Sequence, residues 1–242
     1  MEYQILGTTM QALMIRLQPG ERVFTESGAM AWIDSWVKMD TNFKGGFLKS
    51  IARRLAGESL TFTYFEPQGK PGEVGFAPHF PGKIIPLQIR PGYEIICQRD
   101  AFMVGQEGVE VSIHFQQKLG VGFFGGEEFI MQRLHGNGMA FCEIDGEVVE
   151  KELEAGQVLL VDTSHVAMFE KTVEMDIQRV KGFKNVIFGG EGLFLTTLRG
   201  PGKVWLQTLT LPNLAGKIAQ HIPVGSKDDG GMINSLGDLF ND

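Results

Sequence analysis

Glu58, Glu127 and Glu191 are the carboxylates whose spacing holds the most chemistry, because each follows the Gly or Gly-Gly that opens an equivalent predicted strand. Brought toward a common axis, three such groups would repel and would need a cation, a proton or backbone donors. The plainer role is local: each accepts hydrogen bonds from a neighbouring turn and helps set strand register. The five histidines, His79, His114, His135, His165 and His221, include no pair at i, i+2, the spacing by which one strand presents two metal ligands. A cupin-type centre is therefore not expected, and the histidines read as ordinary strand or loop residues. Ser27 and Ser59 have no histidine nearby, and there is no Gly-x-Ser-x-Gly elbow, phosphate-binding loop or dinucleotide fingerprint. The expectation is no catalytic residue, no cofactor and no metal.

A second cluster is electrostatic. In Gly46–Gly57, apolar Phe47, Leu48, Ile51 and Leu55 recur at helical spacing, while Lys49, Arg53 and Arg54 lie largely away from them. This predicts a short amphipathic helix. Phe47, Leu48, Lys49, Arg53 and Arg54 are the candidate contacts to an anionic membrane surface or a partner. In the plainer reading the apolar side covers the open end of a β-sandwich.

These residues sit on a repeated frame. At a constant offset of 64, Gly92 meets Gly156, Phe124-Gly125-Gly126-Glu127 meets Phe188-Gly189-Gly190-Glu191, and Gly136 meets Gly200. At an offset of 72, Pro19-Gly20 meets Pro91-Gly92 and Val37 meets Val109; Gly57-Glu58 precedes Gly126-Glu127 by 69. Three copies follow, spanning 1–86, 87–150 and 151–211, with a C-terminal helix and tail over 212–242. The 32 glycines and 10 prolines cut the chain into short runs, several alternating as strands do, such as Leu60–Phe65, Glu110–Phe115 and Val204–Leu209. The fold class is all-β. The predicted helix in copy 1 replaces a glycine-rich connection, and a second helix is predicted over Leu214–Ile222, between Pro212 and Pro223.

Composition narrows the function. A net charge of −7 argues against a broad nucleic-acid footprint, and no nucleic acid is expected. Cys97 and Cys142, each preceded by apolar residues, read as reduced core thiols of a cytoplasmic protein rather than a disulfide. No secretory signal and no apolar run of membrane-spanning length is visible, so the expected location is the cytoplasm, with peripheral membrane contact through the basic helix. Trp32, Trp36 and Trp205 offer either an apolar groove for a ligand or, more economically, core filling.

Glu26-Ser27-Gly28-Ala29-Met30, the block from Gly45-Gly46-Phe47 to Gly57-Glu58-Ser59-Leu60, and the later Phe-Gly-Gly-Glu blocks together resemble the family of the mitochondrial protein implicated in altered inheritance of mitochondria. The likeness covers residues 1 to about 211. It implies three fused copies of the small β-sandwich of the tryptophan RNA-binding attenuation protein around a pseudo-threefold axis. It supplies no catalytic residue, since bacterial members of the family lack an established activity, and the mitochondrial member is an organisation factor associated with the inner membrane. RNA binding is not inherited with the fold, because the three copies share no repeating lysine or arginine. The expected protein is a non-enzymatic binding or scaffold protein that self-associates into a trimer or larger ring. The alternative is a small-molecule-binding protein or weak enzyme with a pocket between repeats.

Overall fold

The structure is a computed structural model that describes residues 1–26, 28–41, 61–118, 128–179, 194–219 and 221. The chain is all-β, with a single α-helix among the described residues. Its strands are β1 (Glu2–Leu6), β2 (Ala12–Leu17), β3 (Val23–Thr25), β4 (Met30–Ile33), β5 (Val37–Asp40), β6 (Thr63–Pro67), β7 (Gly72–Phe76), β8 (Gly82–Ile89), β9 (Ile95–Gln98) and β10 (Phe102–Gln106). They continue as β11 (Val109–Lys118), β12 (Glu128–Gly136), β13 (Gly138–Asp145), β14 (Val148–Leu153), β15 (Val158–Asp162), β16 (Val166–Glu170), β17 (Glu174–Arg179), β18 (Phe194–Arg199) and β19 (Gly202–Gln207). The helix α1 (Leu211–Ala219) follows. It starts three residues before the predicted Leu214, because the Thr210 hydroxyl and carbonyl accept from the Asn213 and Leu214 amides and so cap a first turn that already contains Pro212.

The strands pair antiparallel in four sheets: sheet I, β1-β2-β7-β4; sheet II, β5-β6-β3-β10-β13-β8; sheet III, β11-β12-β9-β16-β19-β14; and sheet IV, β15-β18-β17. One scheme recurs in β2–β7, β8–β13 and β14–β19. The first strand of each set pairs with the sixth, the third with the sixth, the fourth with the fifth and the second with the fifth. Sets are then joined across: β3 pairs with β10, and β9 with β16.

Details recur with the scheme. The turn between the first two strands of each set closes through the Glu21, Tyr93 and Gln157 amides onto the carbonyls three residues back, each at 2.9 Å. Gly20, Gly92 and Gly156 hold φ of 88°, 84° and 77° there, a left-handed conformation that explains the glycine in all three turns. The third strand of each set bulges at the same place, Met30/Trp32, Phe102/Val104 and Val166/Met168. Just past that bulge Asp34, Gln106 and Glu170 each accept from a sixth-strand amide, those of Glu73, Met139 and Lys203, at 2.9, 3.0 and 3.0 Å.

Three apolar cores alternate with the sheets. Leu13, Ile15, Phe65, Val74 and Phe141 fill the one shared by sheets I and II; Phe24, Ile95, Cys97, Phe102 and Trp205 that of II and III; Ile96, Phe129, Phe169 and Leu198 that of III and IV. Sheets II and III are thus covered on both faces, and their central strands lose the alternating pattern: Phe102–Gly105 and Val166–Phe169 are buried without interruption. Sheets I and IV use one face, so β2 alternates Leu13, Ile15 and Leu17 inward with Arg16 exposed.

Candidate functional site

Every residue singled out from sequence as a contact or polar site, Phe47, Leu48, Lys49, Arg53, Arg54, Glu58, Glu127 and Glu191, lies outside the described residues, as does the predicted helix at Gly46–Gly57. The tryptophans divide. Trp205 is core, its indole N–H donating to Glu150 at 3.0 Å. Trp36 donates to the Pro71 carbonyl at 3.0 Å under the Lys70 ammonium. Trp32 remains 41% exposed, so core filling does not account for it. Cys97 and Cys142 are free, buried thiols, as expected; a hydrogen bond between them and burial push the Cys97 thiol well up. Among the described residues no group of histidine, cysteine and carboxylate side chains is arranged to hold a metal ion.

The chemistry gathers instead along the seams where strand sets meet. At the first seam the Glu107 amide donates to the Arg22 carbonyl at 3.0 Å, while the Arg22 guanidinium holds Glu107 at 3.3 Å and Glu66 at 2.8 Å. At the second, the Lys171 amide donates to the Glu94 carbonyl at 3.1 Å, and the Lys171 ammonium holds the Glu94 carboxylate at 3.0 Å. The backbone bond is the same; the charges are exchanged. Arg133 adds two bonds of 2.7 Å to Glu94, and these hydrogen bonds, with that from Lys171, hold its carboxyl down at about 2.

Beside the first seam lies a polar belt, buried at Glu143 and Gln132 and exposed at His79. His79, on the connection between β7 and β8, meets Glu143 of β13 through Nδ1 at 2.9 Å and through its backbone amide at 3.2 Å. The Glu143 side chain is 7% exposed, and its hydrogen bond raises the imidazole's pKa. Asp145 is pushed up to about 6, first by burial and then by the charges of Glu143 and Asp100. Gln132, fully buried, donates to Glu26 at 2.6 Å, and burial raises the Glu26 carboxyl.

The equivalent belt in the third strand set is closed on itself. Asp162 accepts from the Ser164 amide and hydroxyl, Thr196 donates to Thr163, Thr163 to the Phe194 carbonyl, and Gln207 to the Ser164 carbonyl. In the second set, Gln98 Nε2 and Gln132 Oε1 are buried without a hydrogen-bond partner. The first-seam belt thus includes Asp145, whose carboxyl is held up at about 6, and one unused acceptor, Gln132 Oε1.

Sequence reasoning did not find this belt. A signal was available: Glu143 interrupts the apolar run Ala140–Ile144, and the residue 64 positions later, Gln207, ends the apolar run Val204–Leu206. His79 carried no signal, since it lies on the connection between two strand sets.

The fold and seams define an all-β protein assembled from joined antiparallel sheets, in which no helix of the described residues is long and apolar enough to cross a membrane. The family model described as Mitochondrial biogenesis AIM24 matches residues 3–209, and the chain belongs to that family. The chain is 27% identical over 221 residues to an uncharacterised protein of Streptococcus pyogenes serotype M6, covering 88% of this chain and 87% of the relative. A crystal structure of a Streptococcus pyogenes protein has the same fold, with a TM-score of 0.74 at 24% identity, over 91% of this chain and 99% of that one.

Proposed function

We propose that this protein is a non-enzymatic scaffold, made of three copies of an attenuation-protein-like β-sandwich, that works as a homo-oligomer and touches a membrane surface from the cytoplasm. The observation that carries this reading is that β4 in sheet I and β15 in sheet IV have no strand partner on their outer edges among the described residues, whereas their counterparts β10 and β16, β3 and β9, are joined to one another. The recurrent pairing scheme, bulge and turn support three copies of one unit. Two of the three steps of a threefold arrangement are the same strand joint; the third, β15 to β4, is not made within the described residues. Membrane contact rests on Phe47, Leu48, Lys49, Arg53 and Arg54 as read from the sequence.

Native mass spectrometry of protein purified gently from its host tests the reading. A bare multimer is expected; a monomer overturns it. For the membrane part, flotation with anionic vesicles is expected to be lost on Arg53→Glu with Arg54→Glu, and binding unchanged by that double substitution overturns it.

The unpartnered Gln132 Oε1 beside Glu26 favours a second reading, a polar small molecule held between the first two copies. A stoichiometric added mass in the same spectrum, lost on Gln132→Leu, supports that reading over the first.

A further inference from the structure

Sheets II and III share one strand order: fourth, fifth and second strands of one set, then third, sixth and first strands of the next. Sheet IV is the first half of that order, β17-β18-β15, and sheet I carries the second half, β4-β7-β2, with β1 added. Set edge to edge at β15 and β4, the two halves give a third sheet of the same kind.

The residues at those edges continue the pattern of the two joints already made. In both, an apolar residue of the second strand faces a polar one of the third, Val23 with Gln106 and Ile95 with Glu170. The next pair is non-polar on both sides, Phe24 with Gly105 and Ile96 with Phe169. The same offsets predict Leu159 opposite Asp34, Leu160 opposite Ile33 and Val161 opposite Trp32, with the Ser35 amide donating to the Val158 carbonyl. Polar still faces apolar in the first of these pairs and apolar faces apolar in the second. Asp34 is already turned as its counterparts are, accepting from the sixth-strand amide.

Exposure marks the same place. Phe24 and Ile96 are 4% and 0% exposed, whereas Leu160, their counterpart, is 61% exposed. Val104 and Met168 are fully buried, whereas Trp32 is 41% exposed. Trp32 lies flat on Gly75, where any Cβ would collide with the indole, so sheet I is shaped to present that ring at its edge. The ion pairs Arg22–Glu107 and Glu94–Lys171 also stop here: their counterparts are Val158, 45% exposed, and Ser35.

We propose that β15 of one molecule pairs antiparallel with β4 of a second copy of this chain, in the register Leu160 opposite Ile33, joining molecules head to tail by the same strand joint that links the sets within each chain. The contact is heterologous, so successive molecules close into a ring when the turn per molecule divides a full circle. The two internal joints carry opposite charge arrangements and the terminal one carries none, which disfavours mispairing of an end edge with an internal one. This proposal rests on the self-associating reading above.

The test uses two single variants of the full chain, Ile33→Cys and Leu160→Cys. Opposed Cα atoms lie about 4.5–5.5 Å apart, within disulfide reach, and the buried Cys97 and Cys142 stay unreactive. Mixed, allowed to exchange subunits and oxidised, the two are expected to give a reducible covalent dimer that neither gives alone. A dimer from either variant alone means symmetric edge pairing and overturns the proposal. So does a double variant that closes its disulfide within a monomer. A multimer in native mass spectrometry with no cross-link overturns this joint while leaving self-association standing, and a monomer at every concentration overturns both. Leu160→Lys, at an exposed site that leaves the fold intact, is expected to dissociate the multimer with an unchanged circular dichroism spectrum; a multimer that survives it counts against the joint.

Discussion

The second strand of each set does the same job with different means. At β3 and β9 it is buried in a six-stranded sheet, closed by an ion pair and covered on both faces; at β15 it carries Val158 and Leu160 into solvent. Under the proposed joint, the apolar character of β15 answers to a contact with a second molecule rather than to the sheet it occupies in one chain. Val158, Leu159, Leu160 and Val161 are a strand written for a two-sided interior but exposed on one side.

The sharpest way to break the comparison is truncation at equivalent positions. Phe24→Ala, inside a completed joint and packed on the face of Gly105, whose Cβ would stand only 2.6 Å from the ring, is expected to cost about 3–5 kcal/mol in chemical denaturation. Leu160→Ala is expected to cost under about 1 kcal/mol in dilute protein, where no second molecule covers it. Equal losses would mean that β15 is buried within its own chain.

The charged seam predicts a smaller, pH-dependent effect. Because the folded Glu94 carboxyl is held at about 2, below its ordinary 4.5, its contribution is complete above about pH 5 and is lost as pH falls toward 2. Glu94→Gln should therefore lower stability by roughly 1–3 kcal/mol at pH 7 and by nothing at pH 2. A pH-independent loss would place the effect in packing.

Asp145 has the opposite sign. Its folded value near 6 lies above the ordinary 3.8, so the folded chain retains a proton that the unfolded chain has released, and stability falls as pH rises between those values. Asp145→Asn is expected to raise stability at pH 7 by about 1–2 kcal/mol, allowing for partial solvent screening, with the gain gone below pH 4. Thermal melts of both proteins at pH 4 and 7 check this.

Much of the frame was legible because turns and strands leave local marks. Pro19-Gly20, Pro91-Gly92 and Ala155-Gly156 announced their turns, and the alternation around Glu110–Phe115 and Val204–Leu209 announced β11 and β19. The crossed joints were not legible: no local signal tells β3 to pair with β10 instead of a neighbour in its own set. The polar belt was hidden for a related reason. Glu26 and Gln132 meet across 106 positions, and His79 meets Glu143 only because a connection folds back over β13. The residues favoured from sequence, Glu58, Glu127, Glu191 and the basic segment, fall outside the described structure, while Val158 and Leu160, and the place of Trp32 on a sheet edge, came forward only once their counterparts were seen to be buried.

The most direct test of the account is amide hydrogen exchange read by mass spectrometry, comparing peptides over residues 30–35 and 158–162 with those over 95–98 and 102–106, at dilute and concentrated protein. The internal joints should be protected alike at both concentrations, and the terminal edges should gain protection on concentration, a gain that Leu160→Lys abolishes. Terminal edges that exchange as slowly as the internal joints in dilute, monomeric protein would contradict it, showing that the chain completes its third joint alone.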